Sequence, residues 1–259
     1  MESVLDRVIK QNTENVNLLK TKDYNIFSVL QIQSKEVLIC RMIADLLNPR
    51  GQHGAGAEYL KIFMRDCLGM EKMDTKLADQ AIVTAEYAID DERRIDIVIE
   101  IGSYFLPIEV KIYAADQKSQ CFDYYQYAKR RDAQAKVYYL TLDGHRPGKD
   151  STSSGSQSVP EEDIVCLAFR EHILNWLKAC KSCENTGMVP ILEQFIQNIE
   201  QISGYTREKG RNMVIDELLK SGDSLRAGMQ IADSINAAKA KLIYLVFEEF
   251  EKQLAGVAE

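Results

Sequence analysis

Apolar residues recur along this chain in two rhythms, and the change from one to the other outlines its organisation. Residues 35–47 repeat at helical spacing, with Cys40, Ile43 and Leu47 on one stripe. After a loop holding Asn48-Pro49-Arg50-Gly51, Gly54 and Gly56, a second helix is predicted at about 56–68. Residues 1–32 read as one or two helices with polar faces. From residue 81 the repeat shortens to two: 81–89, 94–101 and 105–113 alternate and are rich in β-branched side chains, which predicts three strands. A polar helix at about 116–132, a strand at about 136–142, a Ser-, Gly- and Pro-rich loop at 143–160 and a short strand at 164–168 follow. Beyond 170 the helical rhythm returns, at about 170–183, 189–203, 208–220 and 225–254.

Helices, three strands, a helix, a strand, a loop, a strand and helices again are the order of an α/β protein, a mixed sheet between helical layers in an α/β/α sandwich. No internal repeat interrupts it. One domain is expected over 1–205, with its core at about 30–170, followed by a C-terminal helical segment at 206–259. The last helix carries Ile231, Ile235, Leu242, Leu245, Val246 and Phe250. It could dock on the core or form a homodimer with a second copy; the sequence leaves both open.

The second and third predicted strands place chemistry on a shared face. Arg94, Asp96, Val98 and Glu100 alternate with Ile95, Ile97, Ile99 and Ile101, and Pro107, Glu109, Lys111 and Tyr113 alternate with Leu106, Ile108, Val110 and Ile112. Gly102-Ser103 suits a two-residue type II′ turn, which wants Gly first. Such a turn pairs residues whose numbers sum to 205, setting Asp96 opposite Glu109 and Arg94 opposite Lys111. Opposed side chains lie roughly 4.5–5.5 Å apart at Cβ. Two carboxylates so close repel unless a cation lies between them, and hard oxygen donors select Mg²⁺ or Mn²⁺. An ammonium two residues from Glu109 points the same way and could hold an attacking water or meet charge developing on phosphorus. The bland alternative is a solvated polar face with ordinary surface ion pairs.

Composition narrows this little. The 46% hydrophobic and 27% charged content is that of a globular chain. A net charge of −7 argues against general coating of nucleic acid but leaves room for a local basic groove. No apolar run reaches the ~20 residues that span a bilayer. The start, Met1-Glu2-Ser3-Val4-Leu5-Asp6, lacks the basic and apolar stretches of a secretory signal, so a cytoplasmic location is the expectation. The six cysteines then read as reduced core residues; Cys180-x-x-Cys183 has no second pair to complete a zinc site, and His172 is its one nearby supplement. No phosphate loop of the Walker type is present.

Arg93-Arg94-Ile95-Asp96, then Pro107-Ile108-Glu109-Val110-Lys111, then Gln117-x-x-Gln120 running on to Tyr124, Tyr125 and Tyr127, resemble the PD-(D/E)XK nuclease superfamily, in particular bacterial members with Arg-Ile-Asp, Glu-x-Lys and Gln-x-x-Gln motifs. The resemblance covers about residues 30–142. It implies a restriction-endonuclease-like α/β/α sandwich with a four-stranded mixed core. It also implies a nuclease that hydrolyses phosphodiester bonds in DNA with metal-activated water, using Mg²⁺ or Mn²⁺. Carried over, Asp96 and Glu109 are metal ligands, Lys111 is the catalytic lysine, and Gln117 or Gln120 contacts the nucleic acid backbone or orients water. Gln117, Gln120 and Tyr124 share a helical face by spacing, which also fits a plain polar helix surface. Glu36, aligned with the buried stripe of its helix, is the candidate helical acid for metal and catalysis, although a first-turn acid also suits the helix dipole. Glu86 is a weaker candidate for that place. Lys129 and Arg130, with Arg94, could grip phosphates, although cations at a helix C-terminus have a local reason to be there. His53 reads as a backbone contact or a bystander. The competing reading is a catalytically silent nucleic-acid-binding or scaffold protein on the same fold.

Overall fold

The structure, a computed structural model, describes residues 24–70, 75–183, 186–204, 215 and 218–255. Helices expected within 1–23, and most of the one expected at 208–220, lie outside the described residues. Tyr24–Tyr205 form one compact unit. Its elements run α1 (Ile26–Val29), α2 (Glu36–Leu47), α3 (Glu58–Asp66), α4 (Thr75–Ala78), β1 (Ile82–Ala88), β2 (Arg94–Ile101), β3 (Tyr104–Lys111), α5 (Gln120–Arg131) and β4 (Val137–Thr141). They continue with α6 (Lys149–Thr152), β5 (Ser153–Ser154), β6 (Gln157–Ser158), β7 (Ile164–Ala168), α7 (Leu174–Cys180) and α8 (Val189–Ile202).

The sheet has five strands in the order β1-β2-β3-β4-β7, one more than the four-stranded core that the family resemblance implied. β1, β2 and β3 are antiparallel, whereas β3, β4 and β7 are parallel. The sheet is therefore mixed, with α5 carrying the chain from β3 to the parallel β4. Ile97, Ile99, Ile101, Leu106, Ile108 and Val110 bury one face against apolar residues of α2, α3, α7 and α8. On the other face Val98, Phe105, Val137 and Tyr139 meet Cys121, Phe122, Tyr124 and Ala128 of α5. Helices on both faces make the expected α/β/α sandwich.

Two differences from the sequence reading matter. The first is Ile95, which the strict alternation puts with Ile97 and which instead packs in the α5-side cluster. The β1–β2 pairs run from Ile82↔Glu100 to Ala85↔Ile97 and resume at Tyr87↔Ile95, skipping Glu86 and Asp96, and Glu86 has φ +52°. A left-handed residue in a strand locally breaks the pleat, so the alternation restarts beyond it. The second is α5, which begins at Gln120 rather than 116, after a left-handed Ser119 (φ 57°). Gln117 is thus in the preceding loop and not on the helical face assigned to it. The loop after β4 contains the single turn α6 and the small β5–β6 hairpin.

A second unit contains α9 (Gly222–Ala255), a 34-residue helix on which Leu242, Ile243, Tyr244, Leu245, Val246, Phe247 and Phe250 are all exposed. No described helix is long and apolar enough to cross a membrane.

Candidate active site

The β2–β3 hairpin sets the site. Gly102 has φ +56° while Ser103 stays in the ordinary region, as a type II′ turn requires. The strand pairs then run Ile101↔Tyr104, Glu100↔Phe105, Ile99↔Leu106, Val98↔Pro107 and Ile97↔Ile108, each summing to 205 as the turn dictates. Asp96 and Glu109 would be next. There backbone pairing has ended, and Asp96 Oδ2 accepts a hydrogen bond from Val110 N at 2.7 Å. The break at Asp96 thus frees a carboxylate to reach across the strand end, while the Val110 amide stays satisfied.

Glu109 is buried, 1% exposed, and Lys111 beside it is 7% exposed. Lys111 Nζ donates to Glu109 Oε1. The second carboxylate oxygen, Glu109 Oε2, is buried and meets no hydrogen-bond partner among the described residues. The third acid arrives from the other layer. Glu36 stands in the first turn of α2, and its Oε2 accepts from Ile112 N at 2.8 Å, capping the end of β3. Its helical stripe, Cys40, Ile43 and Leu47, is buried, as its alignment suggested.

The electrostatics follow from this crowding. Burial, then the neighbouring Asp96 charge, pushes Glu109 well above the usual carboxylate range, with Lys111 only partly offsetting them. Burial also raises Asp96, opposed by the Val110 amide and Lys111. For Lys111, burial works against the charge, but Glu109, Asp96 and Glu36 outweigh it and the ammonium is held more firmly than usual. Cys40, buried among the same four groups, has its thiol pushed up by burial and by three carboxylates. It is a neutral wall of the site, not a nucleophile.

Among the described residues, no three His, Cys, Asp or Glu side chains gather into a ready metal cage. The donor set nevertheless fits Mg²⁺, which is held by one or two carboxylates and keeps several waters. Asp96 and Glu109 are hard oxygen donors, and the orphaned Glu109 Oε2 is a buried acceptor that a cation would satisfy.

The other sequence-selected residues divide. Gln120 is buried; its Nε2 donates to Tyr124 Oη (3.1 Å), whose hydroxyl donates to the Arg94 carbonyl (2.5 Å). These two side chains stand against the strand end that carries Asp96, and Glu109 and Asp96 both help raise the Tyr124 hydroxyl after burial. Gln117 is exposed and accepts from Arg93 Nη1 at 2.8 Å. Arg93 also binds Asp123 and the Lys118 carbonyl, so it ties the loop before α5 to the start of that helix. The Arg94 side chain is exposed. Lys129 and Arg130 lie at the opposite end of α5, some nine residues or about 14 Å along the axis from Gln120. There Lys129 pairs with Asp163 (3.2 Å) and Arg130 lies over the Tyr127 ring. Glu86 pairs with Arg41 at 3.0 Å. His53 is buried in its loop: it meets the Asn48 carbonyl through Nε2 and the Ala55 amide through Nδ1, and stacks on Tyr59.

Sequence reasoning missed Tyr139 and Asp116. Tyr139 is the β4 neighbour of Glu109 in the parallel ladder, and its hydroxyl donates to Asp116 at 2.6 Å. Finding it requires the β3–β4 register, which no short-range pattern encodes.

Residues 24–198 match a family model of the PD-(D/E)XK nuclease superfamily. The chain belongs to this superfamily. The match extends beyond the hairpin and α5 into α8, so the helical layer under the sheet is part of the family fold, as is the acid-bearing α2. No curated protein and no solved structure matches the chain.

Proposed function

We propose that this superfamily member is a metal-dependent nuclease that hydrolyses phosphodiester bonds in DNA. One observation carries the reading: Asp96 and Glu109 crowd at one strand end, with a buried Glu109 oxygen unpartnered and Lys111 alongside. Like-charged buried acids are costly to a fold unless a ligand resolves them, and such sites are where function concentrates.

In this reading Asp96 and Glu109 hold Mg²⁺ or Mn²⁺, and Glu36, whose charge is felt at Asp96, is the proposed third acid. The ion would polarise a phosphoryl oxygen and lower the pKa of water at the site. Val110 N fixes the Asp96 carboxylate and Ile112 N fixes that of Glu36, so neither has to be ordered when substrate arrives. Lys111 keeps its proton and presents charge to the phosphorus centre. Gln117 and Arg94, both exposed, are the proposed contacts to the bound strand; Gln120 and Tyr124 are buried and support the strand end behind the acids, and Lys129 and Arg130, engaged by Asp163 and the Tyr127 ring, drop out of the nucleic-acid contacts the sequence suggested.

Incubation of purified protein with plasmid, linear and single-stranded DNA and with RNA, each with Mg²⁺, Mn²⁺ or chelator, tests this. DNA cleavage that needs metal and disappears in Lys111→Ala is expected. Equal cleavage by both proteins, or none of any substrate, would overturn it. A second part of the reading concerns α9: its exposed apolar run 242–247 supports pairing with a second copy. Light scattering of wild type and Leu242→Glu tests it, and a monomer at all concentrations rejects it.

A further inference from the structure

The loop that follows β4 returns to the same face of the sheet as Glu109 and Lys111. In the parallel ladder Glu109 lies beside Tyr139 and Lys111 beside Thr141, and laterally paired residues point the same way. Thr141 Oγ1 accepts from Gly144 N at 2.8 Å and approaches Asp143 Oδ1 at 3.4 Å. Asp143 Oδ1 is met by both the backbone amide of His145 (3.2 Å) and its ring Nδ1 (2.6 Å). The His145 ring stands edge-on to Tyr139, with centroids 6.2 Å apart. Tyr139 is anchored in turn by Asp116, whose other oxygen accepts from Gly148 N at 2.7 Å and pins the far end of the loop. The ring is therefore held from two sides, yet its side chain remains 60% exposed. Its Nε2 has no hydrogen-bond partner among the described residues.

From this arrangement we infer that His145, oriented by Asp143, is a phosphate-contacting residue of the nucleic acid site, gripping a backbone phosphate next to the one at Lys111. This rests on the nucleic-acid-binding part of the role proposed above. The chemistry is that of an imidazolium bridging a carboxylate and a phosphate: one ring N–H goes to Asp143 and Nε2–H donates to the phosphate oxygen. β3 and β4 are adjacent, about 4.8 Å apart, and Thr141, the neighbour of Lys111, meets Asp143, the residue that orients His145. Asp143, whose carboxyl is held below the usual carboxylate range chiefly by the His145 ring, stays ionised and keeps the ring in place. A net charge of −7 makes a local phosphate contact valuable.

The test is nucleic acid binding measured apart from cleavage. Fluorescence anisotropy with a labelled DNA duplex and single strand, in Mg²⁺ over a range of salt, compares Lys111→Ala with Lys111→Ala/His145→Ala. The dissociation constant is expected to rise on the order of tenfold, and the slope of log K against log salt to fall by about 0.5–1 for the duplex. His145→Lys in the same background restores the slope, because it restores a cation, whereas His145→Gln does not. Circular dichroism confirms that the exposed substitutions leave the fold intact. Unchanged affinity and slope in His145→Ala overturn the inference even if wild type cleaves DNA. His145-dependent binding by a wild type that cleaves nothing keeps the inference and removes the nuclease reading. A wild type that neither binds nor cleaves nucleic acid removes both.

Discussion

Two carboxylates lie against the same helix and have opposite fates. Asp163 sits near the C-terminal end of α5, where Tyr125 Oη donates to it at 2.7 Å and Lys129 Nζ lies 3.2 Å away. Burial alone would raise it, but these two donors outweigh that and lower it. Glu109 lies near the N-terminal end of the helix, where burial and Asp96 raise it and one oxygen has no partner. Around Asp163 the cations are also spent on the fold: Lys129 lies over Tyr125, and Arg131 spans Tyr87, Phe105 and Tyr127 while reaching Glu100. One end of the helix is satisfied by its own side chains. The other holds a buried carboxyl oxygen without a partner, and an unsatisfied buried polar atom that a fold retains is where a ligand is to be sought.

The comparison is broken most severely at Lys111 and Asp96. Lys111→Ala and Asp96→Asn are each expected to lower DNA cleavage by about 10²–10³-fold or more, measured under single-turnover conditions, with an unchanged circular dichroism spectrum. Next is metal. Mg²⁺ at ten times its dissociation constant should stabilise wild type by about 1.4 kcal/mol, read from the thermal or denaturant midpoint, and Glu109→Gln should lose this gain. A gain retained by Glu109→Gln would place the ion elsewhere, and a wild-type midpoint that ignores Mg²⁺ would remove the metal from the reading. Asp163→Asn, which strands Lys129 and Tyr125, should cost about 1 kcal/mol in any buffer while leaving the metal response intact.

The two acids also give opposite pH dependences in chelator. Glu109 has a raised folded pKa, so the native state binds more protons than the unfolded chain above about pH 4.3, and stability falls as pH rises toward the folded value. Asp163 has a lowered folded pKa; its contribution is complete above about pH 3.9 and is lost as pH falls below that. Lys111 is also raised, so its contribution is lost only in strongly alkaline solution and does not mask this trend. Guanidinium midpoints between about pH 4.5 and 8 should therefore decline for wild type and decline less steeply for Glu109→Gln, in which the raised Asp96 remains. The smallest effect is at Arg131→Ala, expected to cost about 0.5–1 kcal/mol through lost ring contacts with no change in cleavage.

Much of this site could be read from local sequence because a two-residue turn fixes everything along its hairpin. Gly102-Ser103 sets the 205 register as far as Ile97↔Ile108, and beyond the last pair the Asp96 carboxylate reaches the Val110 amide next to Glu109. Glu36 was legible for a similar reason, since helical spacing aligned it with Cys40, Ile43 and Leu47. What was not legible lies where backbone geometry departs from its period or where distant segments meet. The left-handed Glu86 resets the alternation at Ile95, and the left-handed Ser119 shortens α5 and leaves Gln117 in a loop. Tyr139, Asp116 and the Asp143–His145 pair depend on parallel pairing across a long connection, which no local pattern specifies.

The same Glu86 has a second consequence, for solubility. β1 is a border strand of the sheet, with β2 on one flank only. A flat border offers unpaired amides and carbonyls on which another molecule's strand can grow into an aggregate. The kink at φ +52° halfway along β1, with a charged side chain tethered to Arg41, interrupts that template. Straightening it with Glu86→Val would leave a longer, apolar border, and the cost would be seen as turbidity on concentration before it was seen in activity.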